Sequence, residues 1–246
     1  MFPDLSGTRA ISHFVFVFYF FLNSIGCDRP THDIHMDSFV ADTHNDVLLR
    51  AMEGDDILSN LPDAHSNLEK FSLGGVDLQV FSVWVSPYEF KESEYFQAAN
   101  DMISKLEFLC SRAPDQWSII RSYQDIRYNI EKNRMSCMIG VEGGHVIGGD
   151  ITKVKYLHDR GMRYLGLTWN NSNSIASSAK DETEDVYSLE QIGLTEFGKK
   201  VVRECNNLGV MIDISHSGEK TFWDVINMTK KTNYCISLIC IQFVSS

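Results

Sequence analysis

The chain has 246 residues, 43% of them hydrophobic, and a formal net charge of −11. That is enough apolar material for one sizeable core, and the composition has no disorder signature. The acidic balance argues against a nucleic-acid partner, because phosphate recognition needs clustered Lys and Arg.

The first feature along the chain is the unbroken apolar run from Phe14 to Leu22. It is too short to span a bilayer, which takes roughly 20 residues. With Arg9 upstream and the small residues Ser24 and Gly26 downstream, it suits the core of an export signal. Residues 1–27 are therefore read as a signal peptide, 28–36 as a linker and 37–246 as the folded domain. Ser-Ile-Gly-Cys ending at Cys27 is similar to a relaxed bacterial lipoprotein cleavage box, which makes Cys27 a candidate for lipid attachment. The expected location is outside the cytoplasm: anchored to a membrane through Cys27, or free in the periplasm or extracellular space.

Beyond residue 36, short apolar runs alternate with amphipathic stretches. Phe39–Asp42, Val76–Val85, Cys137–Val141, Tyr164–Trp169 and Val210–Ile214 are bounded by glycine or polar residues, which favours strands. Val76–Val85 is rich in β-branched and aromatic residues, as a strand buried on both faces should be. Between the runs, helical spacing predicts helices over Tyr95–Leu109, Tyr123–Asn133, Thr152–Asp159, Thr195–Asn207 and Ser217–Lys230. Gly161 and Gly209 stand where C-caps belong, and Thr195 where an N-cap does. Such alternation predicts an α/β fold with a mostly parallel sheet, either a (β/α) barrel or an open doubly wound sheet. No glycine-rich dinucleotide fingerprint or P-loop follows the first strand. Cys110, Cys137, Cys205, Cys235 and Cys240 are scattered through apolar segments and read as buried free thiols.

Metal-binding residue types recur at the ends of these strands. In Asp42-Thr43-His44-Asn45-Asp46, alternation along an extended segment turns His44 and Asp46 to one side. An imidazole and a carboxylate there suit Zn²⁺, and Asp42 on the same side could orient one of them. Glu142 directly follows an apolar run and precedes two glycines, in Gly140-Val141-Glu142-Gly143-Gly144-His145. His145 could support the site or cap the turn. His216, in Asp213-Ile214-Ser215-His216-Ser217, is a third candidate at a strand end. In a barrel such ends converge, so two imidazoles and two carboxylates could hold one or two divalent ions.

In order, the segments DTHND, HSNLEKFSLGGVDLQVFSVWV, GVEGGH, GMRYLGLTWNN and GLTEFGKKVVRECNNLGVMIDISH resemble the membrane (renal-type) dipeptidase family, from about residue 40 to about residue 230. The resemblance implies a (β/α)8 TIM-type barrel and a binuclear zinc site. His44 and Asp46 would hold the first zinc, Glu142 would bridge both as the catalytic carboxylate, and His216 would hold the second. A bridging hydroxide would attack the carbonyl of a dipeptide substrate. Trp169 stands where animal members have a His near the substrate, and is a candidate pocket residue.

The sequence departs from the family after the expected sixth strand. Tyr234–Ser246 contains no His, where the family has a further zinc-binding His in a Ser-His-Ser segment. The family's later substrate-binding Arg and assisting Asp have no counterpart either. The expectation is a barrel truncated after about the sixth strand, with dipeptide hydrolysis as the family activity. The alternative is a non-catalytic metal-binding fragment at the cell surface.

Overall fold

The structure is a computed structural model and describes residues 31–184 and 191–229. The export signal, Cys27, Cys235, Cys240 and the Tyr234–Ser246 ending lie outside the described residues. The chain divides into two units at Phe39/Val40. In the first, a helix over Thr31–Met36 (α1) occupies part of the segment expected as a linker. Ser38 closes it by donating from Oγ to the Ile34 carbonyl at 2.6 Å.

Among the described residues the second unit carries six strands: β1 (Ala41–Asn45), β2 (Leu78–Trp84), β3 (Trp117–Ile119), β4 (Met135–Glu142), β5 (Met162–Gly166) and β6 (Met211–Asp213). They form one sheet in the order β1-β2-β4-β5-β6, with β3 also on β4, and every pair is parallel. Since β2 runs along β4 from Ser136 to Glu142, β3 and β5 share the other edge of β4. β3 pairs with Met135–Cys137 and β5 with Ile139–Val141. The result is an α/β fold with a half-barrel sheet, in line with the barrel-type expectation. The helices of this unit are α2 (Val47–Glu53), α3 (Leu68–Leu73), α4 (Tyr95–Arg112), α5 (Tyr123–Glu131), α6 (Thr152–Arg160), α7 (Ala179–Glu184), α8 (Glu196–Leu208) and α9 (Glu219–Met228). Among the described residues no helix is long and apolar enough to cross a membrane.

The predicted caps form. Thr195 Oγ1 accepts from the Gly198 amide at 2.8 Å, and Gly161 and Gly209 end their helices with φ of 114° and 73°. Two differences stand out. β3 escaped the sequence pattern because three residues are too few to show a period. β1 runs three residues further than expected, through Thr43, His44 and Asn45. Asn45, a residue type depleted in strands, is held there by its pairing with Phe81 of β2.

Alternation along the strands sorts side chains onto two faces. Phe81, Val83, Ile139, Val141, Leu165 and Ile212 join the main core with the helices, including Ala99, Ile103 and Leu106 of α4 and Val201, Val202 and Cys205 of α8. The other face carries Leu78, Val80 and Tyr164 in a small apolar layer. Above them, in the same alternation, lie Ser82, Gly140, Glu142 and Asp213. Gly140 is required there: a Cβ at this position would run into the Tyr164 ring and the Val80 side chain. Gly140→Ala is expected to cost about 1–3 kcal/mol through overpacking, seen as a lowered midpoint in thermal unfolding.

Candidate metal centre

Glu142 is the last residue of β4 and is only 7% exposed. A carboxylate so buried must be paired or hydrogen-bonded. Ser82 Oγ, from the neighbouring β2, donates to its Oε2 at 3.0 Å. Oε2 also lies 3.4 Å from His44 Nε2, while Oε1 lies 3.3 Å from His216 Nε2. One carboxylate thus faces two imidazoles, one with each oxygen. Gly143 follows at φ 92°, a left-handed turn that takes the backbone straight out of the strand.

His44 lies in β1, but Asp46 has already left the strand. It occupies the N-cap position of α2 with φ −94° and ψ 11°. The alternation argument therefore placed the right pair together for an incomplete reason: the strand brings His44, and the start of the helix turns Asp46 back to it. Their side chains meet at 3.4 Å. Asp42 Oδ1 accepts from the His44 amide at 3.2 Å, so its contact is with the backbone that carries His44. Ligand atoms of His44, Asp46 and Glu142 all lie within 4.8 Å of one another, close enough to hold a metal ion.

His216 reaches the site from the loop after β6. Its φ of 62° is a left-handed conformation that is uncommon for any residue but glycine, although histidine, like asparagine and aspartate, adopts it more readily than most. Such strain costs about 1–3 kcal/mol and persists where neighbours enforce it. Here the His216 carbonyl accepts from the Ala179 amide at 2.8 Å, and the Ser217 amide donates to Ile214 at 3.1 Å. His216 Nδ1 donates to Asn170 Oδ1 at 3.0 Å. That bond orients the ring so that Nε2 is turned to Glu142.

His145 is buried in the 3-10 turn over Gly144–Ile147, where Nε2 donates to the Val85 carbonyl at 2.9 Å. Its contacts brace the turn after Glu142, and burial lowers its pKa and keeps it neutral. Trp169 lies beyond the end of β5. Its ring is 5.0 Å from Trp84, 6.0 Å from Tyr88 and 6.3 Å from His216, forming an aromatic wall beside the cluster. Ser82, Asn170, Trp84 and Tyr88 were not singled out from the sequence. Asn170 carried a signal, since it adjoins Trp169 in the Trp-Asn-Asn run; Ser82 sits inside an apolar strand and carried none. Asp213 is buried, with the Tyr164 hydroxyl donating to its Oδ2. Burial, joined by the Asp213 charge, raises the Tyr164 pKa far above its ordinary value, so the phenol stays a donor.

Two imidazoles and two carboxylates converging at strand ends are a mixed N/O donor set, which suits a borderline-soft divalent ion. Both histidines turn Nε2 inward and the carboxylates are short of neutralising partners, so the residues fit a metal centre. Without an ion, the hydrogen bond to Asp46 raises the pKa of His44, and its partner lowers that of Asp46.

The sequence profile of the membrane dipeptidases, peptidase family M19, matches residues 29–232. The chain belongs to this family. Mouse (Mus musculus) Dipeptidase 3 is 32% identical over 186 residues, covering 73% of this chain and 36% of the mouse protein. Rat (Rattus norvegicus) Dipeptidase 3 is 30% identical over 186 residues, covering 73% and 37%. The chain thus spans little more than a third of the length of these curated relatives. Among solved structures, a family M19 metallopeptidase described as the dipeptidase AC superposes with a TM-score of 0.67 at 26% identity, over 77% of this chain and 60% of that one. The probable dipeptidase PvdM of Pseudomonas aeruginosa shares the fold, with a TM-score of 0.70 at 20% identity over 80% and 51%. Metal dependence and peptidase chemistry are therefore properties of the family to which this site belongs.

Two measurements probe the geometry. A ligand histidine must lose its proton to bind a metal. The raised His44 pKa puts that competition at higher pH than for an ordinary His, whose pKa is about 6.5. Metal affinity should therefore fall as pH drops through and below neutrality, with proton release in calorimetry across buffers of different ionisation heat. Second, His216→Asn places a residue tolerant of positive φ at the strained position. The unfolding midpoint should hold or rise while metal bound per chain decreases.

Proposed function

We propose that this chain supplies the zinc-binding part of a dipeptidase active site, at which two ions are held by His44, Asp46, Glu142 and His216. The observation that carries this reading is Glu142, a buried carboxylate with one oxygen toward His44 and the other toward His216. His44 and Asp46 would hold the first ion, His216 the second, and Glu142 would reach both. Zinc bound there would supply Lewis-acid polarisation of the peptide carbonyl and a water of lowered pKa. Asn170 keeps His216 Nε2 turned to Glu142, and Asp42 and Asn45 brace the backbone and turn that carry His44 and Asp46. Trp169, with Trp84 and Tyr88 packed against it at steep angles, offers an apolar wall against which a substrate can be oriented while water is excluded. Dipeptides are the proposed substrates, in keeping with the family. An exported location follows from the Phe14–Leu22 run, with attachment through a lipid on Cys27 as part of the same proposal.

A second reading has its own support. His44, Asp46 and Glu142 gather at one point, whereas His216 meets Glu142 at its other oxygen, outside that group of three. Ligand number sets affinity, so the first ion should bind much more tightly than the second, and a protein loaded with one ion would be a metal-binding module without turnover. Zinc per chain, measured together with hydrolysis of Gly-Asp or Leu-Leu, separates the two. The dipeptidase reading expects turnover that a chelator abolishes, that zinc restores, and that Glu142→Gln eliminates. One tightly held zinc with no hydrolysis above background would leave the metal-binding module.

A further inference from the structure

We propose that Ser82 is a positioning residue that sets the plane of the Glu142 carboxylate, and so decides that its two oxygens face two different imidazoles. This rests on the metal-site reading of His44, Glu142 and His216 above. The terminal torsion of a glutamate, between an sp³ and an sp² carbon, has a broad and roughly two-fold profile. Nothing intrinsic to Glu142 therefore holds Oε1 at 3.3 Å from His216 Nε2 and Oε2 at 3.4 Å from His44 Nε2. Among the described residues, the side chain that donates a hydrogen bond to that carboxylate is Ser82, whose hydroxyl lies 3.0 Å from Oε2.

Ser82 is well placed to act as a fixed reference. It is 0% exposed and lies in the middle of β2, where it pairs with Gly140, while Trp84 pairs with Glu142. Both neighbouring strands are locked in ladder hydrogen bonds, and a short side chain has one rotatable bond to its oxygen. A hydroxyl has a single proton to donate, and here it goes to Glu142 Oε2. That bond occupies a lone pair of Oε2 and leaves the remaining one to face His44. The hydroxyl thus ties the carboxylate at the end of β4 to the centre of β2. Supporting hydrogen bonds of this kind alter metal affinity by about 10–100-fold when removed.

The test uses the full chain and Co²⁺ as the probe, read by titration and by its visible spectrum, which reports ligand geometry. Ser82→Ala, Ser82→Thr and the control Ser136→Ala are compared with the unaltered chain. Ser136 is a hydroxyl 1% exposed at the start of β4, accepting from Asn129 at 3.1 Å and six residues before Glu142. The expected result is a loss of Co²⁺ affinity of about 10–100-fold in Ser82→Ala with an altered spectrum. Ser82→Thr, which keeps the hydroxyl, should stay near the unaltered value, and Ser136→Ala should lower the unfolding midpoint without changing affinity or spectrum. If Ser82→Ala fails to fold, retention of affinity and spectrum by Ser82→Thr carries the proposal. Unchanged affinity and spectrum in Ser82→Ala would overturn it. So would a loss in Ser136→Ala as large as that in Ser82→Ala, or in a folded Ser82→Thr. If the unaltered chain binds no Co²⁺, the metal-site reading itself fails, an outcome distinct from metal bound equally well with and without the Ser82 hydroxyl.

Discussion

A negative charge buried at the end of a central strand is the constraint on which this site depends. Glu142 is almost wholly removed from water, and an isolated carboxylate there would be strongly unfavourable. Three groups from different directions surround it: a hydroxyl from β2 that donates to it, an imidazole from β1 and an imidazole from the loop after β6, each imidazole facing one carboxylate oxygen. Each comes from a different part of the sheet. The parallel strands present their C-terminal ends to one place, so the same topology that closes the core also gathers the donors.

The apolar architecture serves this arrangement closely. Packing the helices against Phe81, Ile139, Val141 and Leu165 fixes the sheet on one side. On the other, Gly140 leaves room for the Tyr164 ring, whose hydroxyl is held by Asp213. A larger residue at position 140 would push Tyr164 and with it the strand that carries Glu142. The strain at His216 has the same logic. A left-handed histidine is unfavourable locally, and it is held because a hydrogen bond from the Ala179 amide and one to Asn170 Oδ1 enforce it.

Much of this was legible in the sequence. The alternation of apolar runs and helical patterns named the α/β class, and the caps at Thr195, Gly161 and Gly209 fell where expected because they follow local rules. His44, Asp46, Glu142 and His216 could be named because charged and metal-binding types directly after apolar runs are conspicuous. β3 could not be read, since three residues carry no period. The extension of β1 through polar residues was also hidden, because its pairing partner, and not its composition, makes it a strand.

What the sequence determined by itself was local and compositional: which segments bury, where helices stop, and which residues could bind a metal. The tertiary structure alone decided how those residues are oriented. Asp46 meets His44 through the start of a helix and not through strand alternation. Ser82, one small polar residue within an otherwise apolar strand, becomes the brace for Glu142 only because β2 lies beside β4 in the register that pairs Ser82 with Gly140. The reason is physical: a side chain's identity fixes which bonds it can make, but hydrogen bonds between residues 60 positions apart exist only once the sheet has set their distance and direction.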